Sequence, residues 1–272
     1  MSHNKSQQTH GGEDHLDSLG VYHAISQEGF NELARPNQSI LWSSIAAGIA
    51  IAFSVIVEGA LRAHLPDAPH RHLIENLGYT SGFVIVILCR LQLFTENTIT
   101  PVLPVLKNKD SATLVKMLRL WGVCFSGNMI GALIIAAALF YLPIIDADTK
   151  IAIQSLANHI AEISAGDSLA RGIPAGFLIA ALVWMLPSSK GSEFWVIVFM
   201  TYLIALGDFT HVIAGSVELF FIGFSDFSRL PDLIIGNLLP TLLGNVIGGT
   251  GLFALIAWAQ VEAEMSEVEG EQ

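Results

Sequence analysis

Leu206-Gly207-Asp208-Phe209-Thr210-His211 lies in the middle of an apolar run from about Phe194 to Phe224. About 20 apolar residues suffice to cross a bilayer, and this run is long enough. A glycine, an acid, a threonine and a histidine break it near its centre. An ionisable group at membrane depth costs roughly 2.5 kcal/mol or more, so these residues are expected to face a cavity, a partner or a pore. A second run, from about Leu77 to Leu106, is broken in a similar way by Leu93-Phe94-Thr95-Glu96-Asn97. Both breaks carry Phe-Thr, as Phe94-Thr95 and Phe209-Thr210. Two interrupted spans at matching places in two halves point to a site for moving a solute.

The composition fixes the setting. Of 272 residues, 52% are hydrophobic and 14% charged, against about 25% charged in soluble domains. The chain is therefore an integral membrane protein. Much of the net charge of −11 sits near the ends, at Glu13, Asp14 and Asp17 and at Glu262, Glu264, Glu267, Glu269 and Glu271. No basic patch extends beyond one short loop, which excludes nucleic acid as a partner. Cys89 and Cys124 both fall in apolar spans and read as reduced packing residues. His3, His10, His15 and His23 are irregularly spaced, so no metal and no cofactor is expected. The first forty residues lack the apolar core of a cleavable signal peptide.

The pattern divides the chain into three parts. Residues 1–38 form a polar tail, with Val21, Ile25 and Leu33 spaced for a short amphipathic helix that Pro36 ends. Residues 39–260 form the membrane domain, and 261–272 an acidic tail. The fold class is all-α with six transmembrane helices, the second and fifth interrupted. The spans run at about Ile40–Leu61, Leu77–Leu106, Leu118–Leu142, Leu169–Leu186, Phe194–Phe224 and Leu233–Trp258. Lys107, Lys109, Lys116 and Arg119 make the loop after the second span the most basic, which places that loop and both termini in the cytoplasm. Arg62 and Arg71, flanking the first outer loop, weigh the other way.

The halves repeat. Gly127-Asn128-Met129-Ile130-Gly131-Ala132 matches Gly244-Asn245-Val246-Ile247-Gly248-Gly249 at an offset of 117 (244 − 127). The Phe-Thr breaks match at 115 (209 − 94), and Ala47-Gly48 pairs more weakly with Ala175-Gly176. Three spans per half invert the second half relative to the first. Small residues also recur in membrane helices for close packing, which is the plainer reading of the glycine pattern alone.

These residues resemble the formate/nitrite transporter family. The resemblance is carried by Leu93-Phe94-Thr95, Trp121 through Gly127-Asn128 and Gly131-Ala132, the run Ala181-Leu182-Val183-Trp184-Met185, Gly207 through His211, Phe220-Phe221-Ile222, and Asn237-Leu238-Leu239-Pro240 running into Gly244-Asn245. It implies an aquaporin-like fold and a homopentamer in the bacterial inner membrane. Each protomer would pass a small monovalent anion or its weak acid. His211 stands at the family's central histidine and Thr95 at the threonine beside it. The chain departs from the pattern as a divergent branch would. Thr210 replaces a glutamate, Gly176 an asparagine, Ile160 a vestibule lysine (with His159 adjacent) and Ile204 a constriction phenylalanine, while Arg90 stands where a small residue is usual.

Two chemistries suit His211: it lends a proton to a passing anion, or it stays neutral and only hydrogen-bonds. Thr95 and Thr210 are suited to orienting an imidazole or a solute, and equally to closing backbone groups freed by a broken helix. Leu93, Phe94, Phe83, Tyr79 and Ile204 are the expected constriction residues. Arg90, Glu58, Glu96, Asp208 and Glu218 are expected to pair among themselves, since unpaired buried charge is costly, with Arg90 as a direct anion site the alternative. A pore for a neutral solute and a non-conducting sensor or scaffold are the rival functions. No nucleophile–base pairing, metal spacing or phosphate loop points to an enzyme.

Overall fold

The computed structural model describes residues 16–270, and their side chains as far as Glu264. The expected disordered tail before Leu16, with its first three histidines, lies outside the described residues. Helix α1 spans Ser18–Ala34, α2 Asn37–Ala50, α3 Ala52–His64, α4 Arg71–Leu88, α5 Val102–Asn108 and α6 Ser111–Tyr141. The second half holds α7 Ala147–Glu162, α8 Ala165–Met185, α9 Glu193–Leu206, α10 Val212–Ser225, α11 Leu230–Leu233, α12 Leu239–Val246 and α13 Leu255–Gly270. There is no strand among the described residues. Four continuous helical stretches are long and apolar enough to cross a membrane: Asn37–His64, Ser111–Tyr141, Ala165–Ser188 and Phe227–Glu264. The last, at 38 residues, runs well past the expected sixth span and includes the start of the acidic tail. Two π-helical turns, Ile234–Leu238 and Ile247–Ala254, widen it.

Helix starts are set by local chemistry. Asp17, Asp110, Asp146 and Ser164 cap α1, α6, α7 and α8 by accepting bonds from backbone N–H groups three residues on. Two hydrogen bonds from Thr113 and two from Thr149 hold the Asp110 and Asp146 carboxyls below their ordinary titration range. Helix α1 turns Val21, Ile25 and Leu33 inward. It reaches the end of α13, where Ser18 Oγ lies 3.5 Å from Glu264 Oε1. Lys109 lies at the same end, 3.5 Å from Glu262 and above the ring of Trp258.

Helix α2 packs on α6 as α8 packs on α12. A Cβ at Gly48 would overlap the carbonyl of Asn128, and one at Gly176 the carbonyl of Asn245. Only glycine allows so close a crossing. The departure at Gly176 is thus a packing position with no room for a side chain.

The two asparagines do matching work. Asn128 is fully buried. Its Oδ1 accepts the Phe94 N–H at 2.9 Å, and its Nδ2 donates to the carbonyls of Ser44 at 2.8 Å and Gln92 at 2.9 Å. Asn245, equally buried, accepts the Val212 N–H at 2.9 Å and donates to Gly172 and Thr210 at 2.9 Å each. Each side chain thereby fastens a non-helical segment to a long helix of its own half, α2 in the first and α8 in the second. Asn128→Ala or Asn245→Ala would strand one N–H and two carbonyls in a dry interior, at about 1–3 kcal/mol for each orphan. Both substitutions should lower the thermal midpoint of the purified protein markedly and by similar amounts. Unchanged melting curves would show that the clamps are dispensable.

Candidate pore site

The centre of the molecule holds a histidine and a threonine from different halves. Helix α9 ends at Leu206 and α10 begins at Val212, with His211 as its N-cap residue in extended conformation. The Ala214 N–H donates to His211 Nδ1 at 3.2 Å. In the neutral ring the proton therefore sits on Nε2, which donates to Thr95 Oγ1 at 2.8 Å. His211 is 2% exposed and Thr95 fully buried. Phe83 presses edge-on against the imidazole with centroids 5.0 Å apart, and Tyr79 stacks obliquely on Phe83 at 5.3 Å. Beside His211 is a cavity of about 50 Å³, bounded by Tyr79, Ile160, Phe209, Glu218 and Asn237. It has room for a few waters or one small solute.

Two larger cavities flank this centre. One of about 480 Å³ lies beside α1 and is floored by Leu93, with Ile87, Gln92 and Val183 around it. The other, of about 920 Å³, lies beside α7 and shares Tyr79, Ile160, Phe209 and Glu218 with the small cavity. The start of α4 lines the α7-side cavity and its end the α1-side one; α9 does the reverse. The two helices pack together and run oppositely between the two cavities.

The structure redistributes several expected roles. His211 and Tyr79 line the small cavity, Tyr79 the α7-side one as well, and Leu93 the α1-side one, whereas Thr95 and Phe83 line none of the three and touch His211 directly. Phe94 packs its ring edge-on against Trp121 and Phe125, towards α6. Ile204 is fully buried in α9 and lines none of the three cavities. Phe209, inside the quoted stretch but passed over, is the aromatic between the centre and the α7-side cavity. Thr210 donates to the Ser168 carbonyl at 2.7 Å, so its hydroxyl closes backbone rather than touching His211. Cys89, expected inside a span, is exposed at the end of α4, whereas Cys124 is buried.

The five expected charges do not form one network. Arg90 opens on the α1-side cavity and pairs with Glu28 of α1 at 2.6 Å, with its side chain 78% exposed. Asp208 opens on the α7-side cavity and takes bonds from Arg171 and, at 3.2 Å, from His159 Nε2. Glu58 and Glu218 line the α7-side cavity, and Glu96 the α1-side one. Arg90 thus never meets Asp208 or Glu218; the half-helices carry them to opposite mouths.

Arg90 and Asp208 share an unusual backbone. Both have positive φ, 53° and 52°. The chain leaves α4 through N–H bonds from Arg90 to Ile87 and from Leu91 to Val86, and leaves α9 through the same pair, Asp208 to Ala205 and Phe209 to Ile204. Both are Schellman endings, in which glycine is the usual left-handed residue.

The profile of the Formate/nitrite transporter family matches residues 20–259. The inner membrane protein YfdC of Escherichia coli K12 is 42% identical over 256 residues, which cover 93% of this chain and 83% of that one. The chain therefore belongs to the formate/nitrite transporter family, a family of channels and transporters rather than enzymes. Two solved structures share the fold. One is described as an FNT family ion channel, with TM-score 0.79 and 21% identity over 89% of this chain and 99% of that one. The other is described as a pentameric formate channel with formate bound, with TM-score 0.70 and 20% identity over 88% and 99%.

The left-handed endings generate a prediction opposite to that of a buried charge. A left-handed non-glycine residue costs about 1–2 kcal/mol, while an exposed ion pair returns about 0–1 kcal/mol. Arg90→Gly should therefore leave assembly intact and hold or raise the thermal midpoint. A large drop would mean that the Arg90–Glu28 pair outweighs the backbone strain.

Proposed function

We propose that this chain is a multi-pass inner-membrane channel or transporter for a small monovalent anion of the formate or nitrite kind, or its conjugate weak acid, with His211 in the path. The observation that carries this reading is the buried His211–Thr95 pair. It is a polar point between two larger cavities, contributed by the segments that follow the oppositely running helices α4 and α9. On this reading α4 with α5, and α9 with α10, are the second and fifth of six spans, each broken at mid-depth. The relative named as an inner membrane protein supports the location.

Residues near Lys109 share one end with α1 and α13. Positive loop charge favours the cytoplasm, so that end is assigned there. The protomer exposes Trp42, Ile134, Trp195, Phe199, Ile235 and Ile256. Such a surface needs lipid or further copies of the chain, and the pentameric structural relative supports five copies.

A bare anion crossing an apolar constriction loses its hydration at high cost. Two devices at the centre lower that cost: a hydrogen bond from the imidazole Nε2–H, turned from Thr95 to the solute, or uptake of a proton from water by the imidazole, which passes it to the anion and returns to the neutral ring while the solute leaves as neutral acid. Thr95 orients the ring for either. Proteoliposomes containing the protein should take up at least one of formate, nitrite, hydrosulfide and acetate, with a rate that depends on external pH. His211→Phe should remove that flux tenfold or more while the oligomer persists in gel filtration. Thr95→Val should reduce it only severalfold, since one hydrogen bond of about 1 kcal/mol is lost. Native flux in folded His211→Phe protein would take His211 out of the path.

Assembly and topology are separately checkable. Native mass spectrometry of gently extracted protein should give a pentamer, and reporters fused to the two termini should both read as cytoplasmic. A uniform monomer, or termini on opposite faces, would contradict this assignment.

A further inference from the structure

The α7-side cavity holds more carboxylates than cations, and its cations are already committed. Arg62 Nη1 lies 3.1 Å from Glu75 Oε1, and Arg71 Nε lies 3.4 Å from Glu75 Oε2. His72, largely exposed, faces the same carboxylate at 3.9 Å. Arg171 and His159 both go to Asp208. Glu162 stands at the exposed rim.

Two carboxyls remain. Glu218 of α10 is 8% exposed, and among the described residues neither it nor Glu58 of α3 has a hydrogen bond or ion pair. Glu218 lines both the α7-side cavity and the small cavity that touches His211. Tyr79, also bordering both, is the remaining titratable side chain there. Besides His211, the small cavity's other polar side chains are Thr210, Asn237 and Thr241, which do not titrate. Glu218 therefore stands between one mouth and the centre with no cation to offset it.

An anion entering from this mouth as an ion would pass directly beside Glu218, with Glu58 and its neighbour Arg62 lining the same cavity. Like charges brought together in a dry throat repel strongly, and the cheapest relief is a proton. We infer that Glu218, backed by Glu58, is the proton-transfer residue of the α7-side mouth. This inference rests on the weak-acid reading above. The O–H bond of the Glu218 carboxyl breaks and a new O–H bond forms on the arriving anion. The solute then passes His211 as neutral acid. Glu218, left as carboxylate, regains its proton from water in the open α7-side cavity. Each anion entering from that side therefore carries one proton with it.

The test uses full-length protein in proteoliposomes enclosing a pH indicator, with formate and acetate as probes. Native protein should couple one proton to each anion taken up, and flux should rise as the pH on the α7 side falls. Glu218→Gln, eluting as the native oligomer, should lose tenfold or more of the flux and most of its pH dependence, and Glu58→Gln should shift the pH profile. Glu218→Gln with native flux and native profile would overturn the inference. If Glu218→Gln does not assemble, Glu218→Asp decides: a displaced pH profile upholds the assignment and a native one overturns it. Native protein that carries neither acid would count instead against the weak-acid reading on which the inference stands.

Discussion

The structure depends on two buried amides. A chain that stops being helical inside a membrane frees backbone groups that no water can reach, and each must find a partner within the protein. Asn128 and Asn245 meet that requirement with the same three bonds in each half. Each ties a non-helical segment to a long helix of its own half. The position of His211 follows, because the Val212 N–H held by Asn245 fixes the backbone next to the imidazole. Thr95 is placed in the same way, one residue after the Phe94 N–H held by Asn128. The glycine crossings at Gly48 and Gly176 let the asparagine-bearing helices approach near enough for these bonds to close.

Charge follows a different logic from the backbone. The repeat preserves how α4 and α9 end but not which charge stands there. A cation faces one mouth and an acid the other, each satisfied by its own local partners. Beside the α7-side cavity, Arg171 and His159 are both bound to Asp208. Glu58 and Glu218 line the cavity on that side, and Glu218 lines the small cavity beside His211 as well.

Much of this was legible in the sequence. The interrupted runs located His211 and Thr95, and the 117-residue offset picked out Asn128 and Asn245 as equivalent. What the offset could not say was why an asparagine was needed, because its three partners are backbone atoms and leave no trace in side-chain identity. Phe94 was assigned to the constriction for being apolar and within a break, and Ile204 for standing where the resembled family has a constriction phenylalanine. Nearness along the chain does not tell which face of a turn a ring takes, and Phe94 turns towards Trp121. Pairing of Arg90 with Asp208 failed for a related reason. Arg90 ends α4 and Asp208 ends α9, and because these helices run oppositely, charges that match in register are held apart at different cavities.

The direction of α10 has a further consequence. Aligned peptide dipoles leave roughly half a positive elementary charge at a helix N-terminus and half a negative one at its C-terminus. Helix α10 begins at the centre, so its positive end is directed at the small cavity beside His211 without any ionised side chain. The negative ends of α4 and α9 open instead towards the two mouths. Arg90 suits the end it occupies. Asp208 opposes its own, and its two cationic neighbours offset the mismatch. The backbone thus favours negative charge at mid-depth and resists it at the rims, a fixed field that persists whatever the pH.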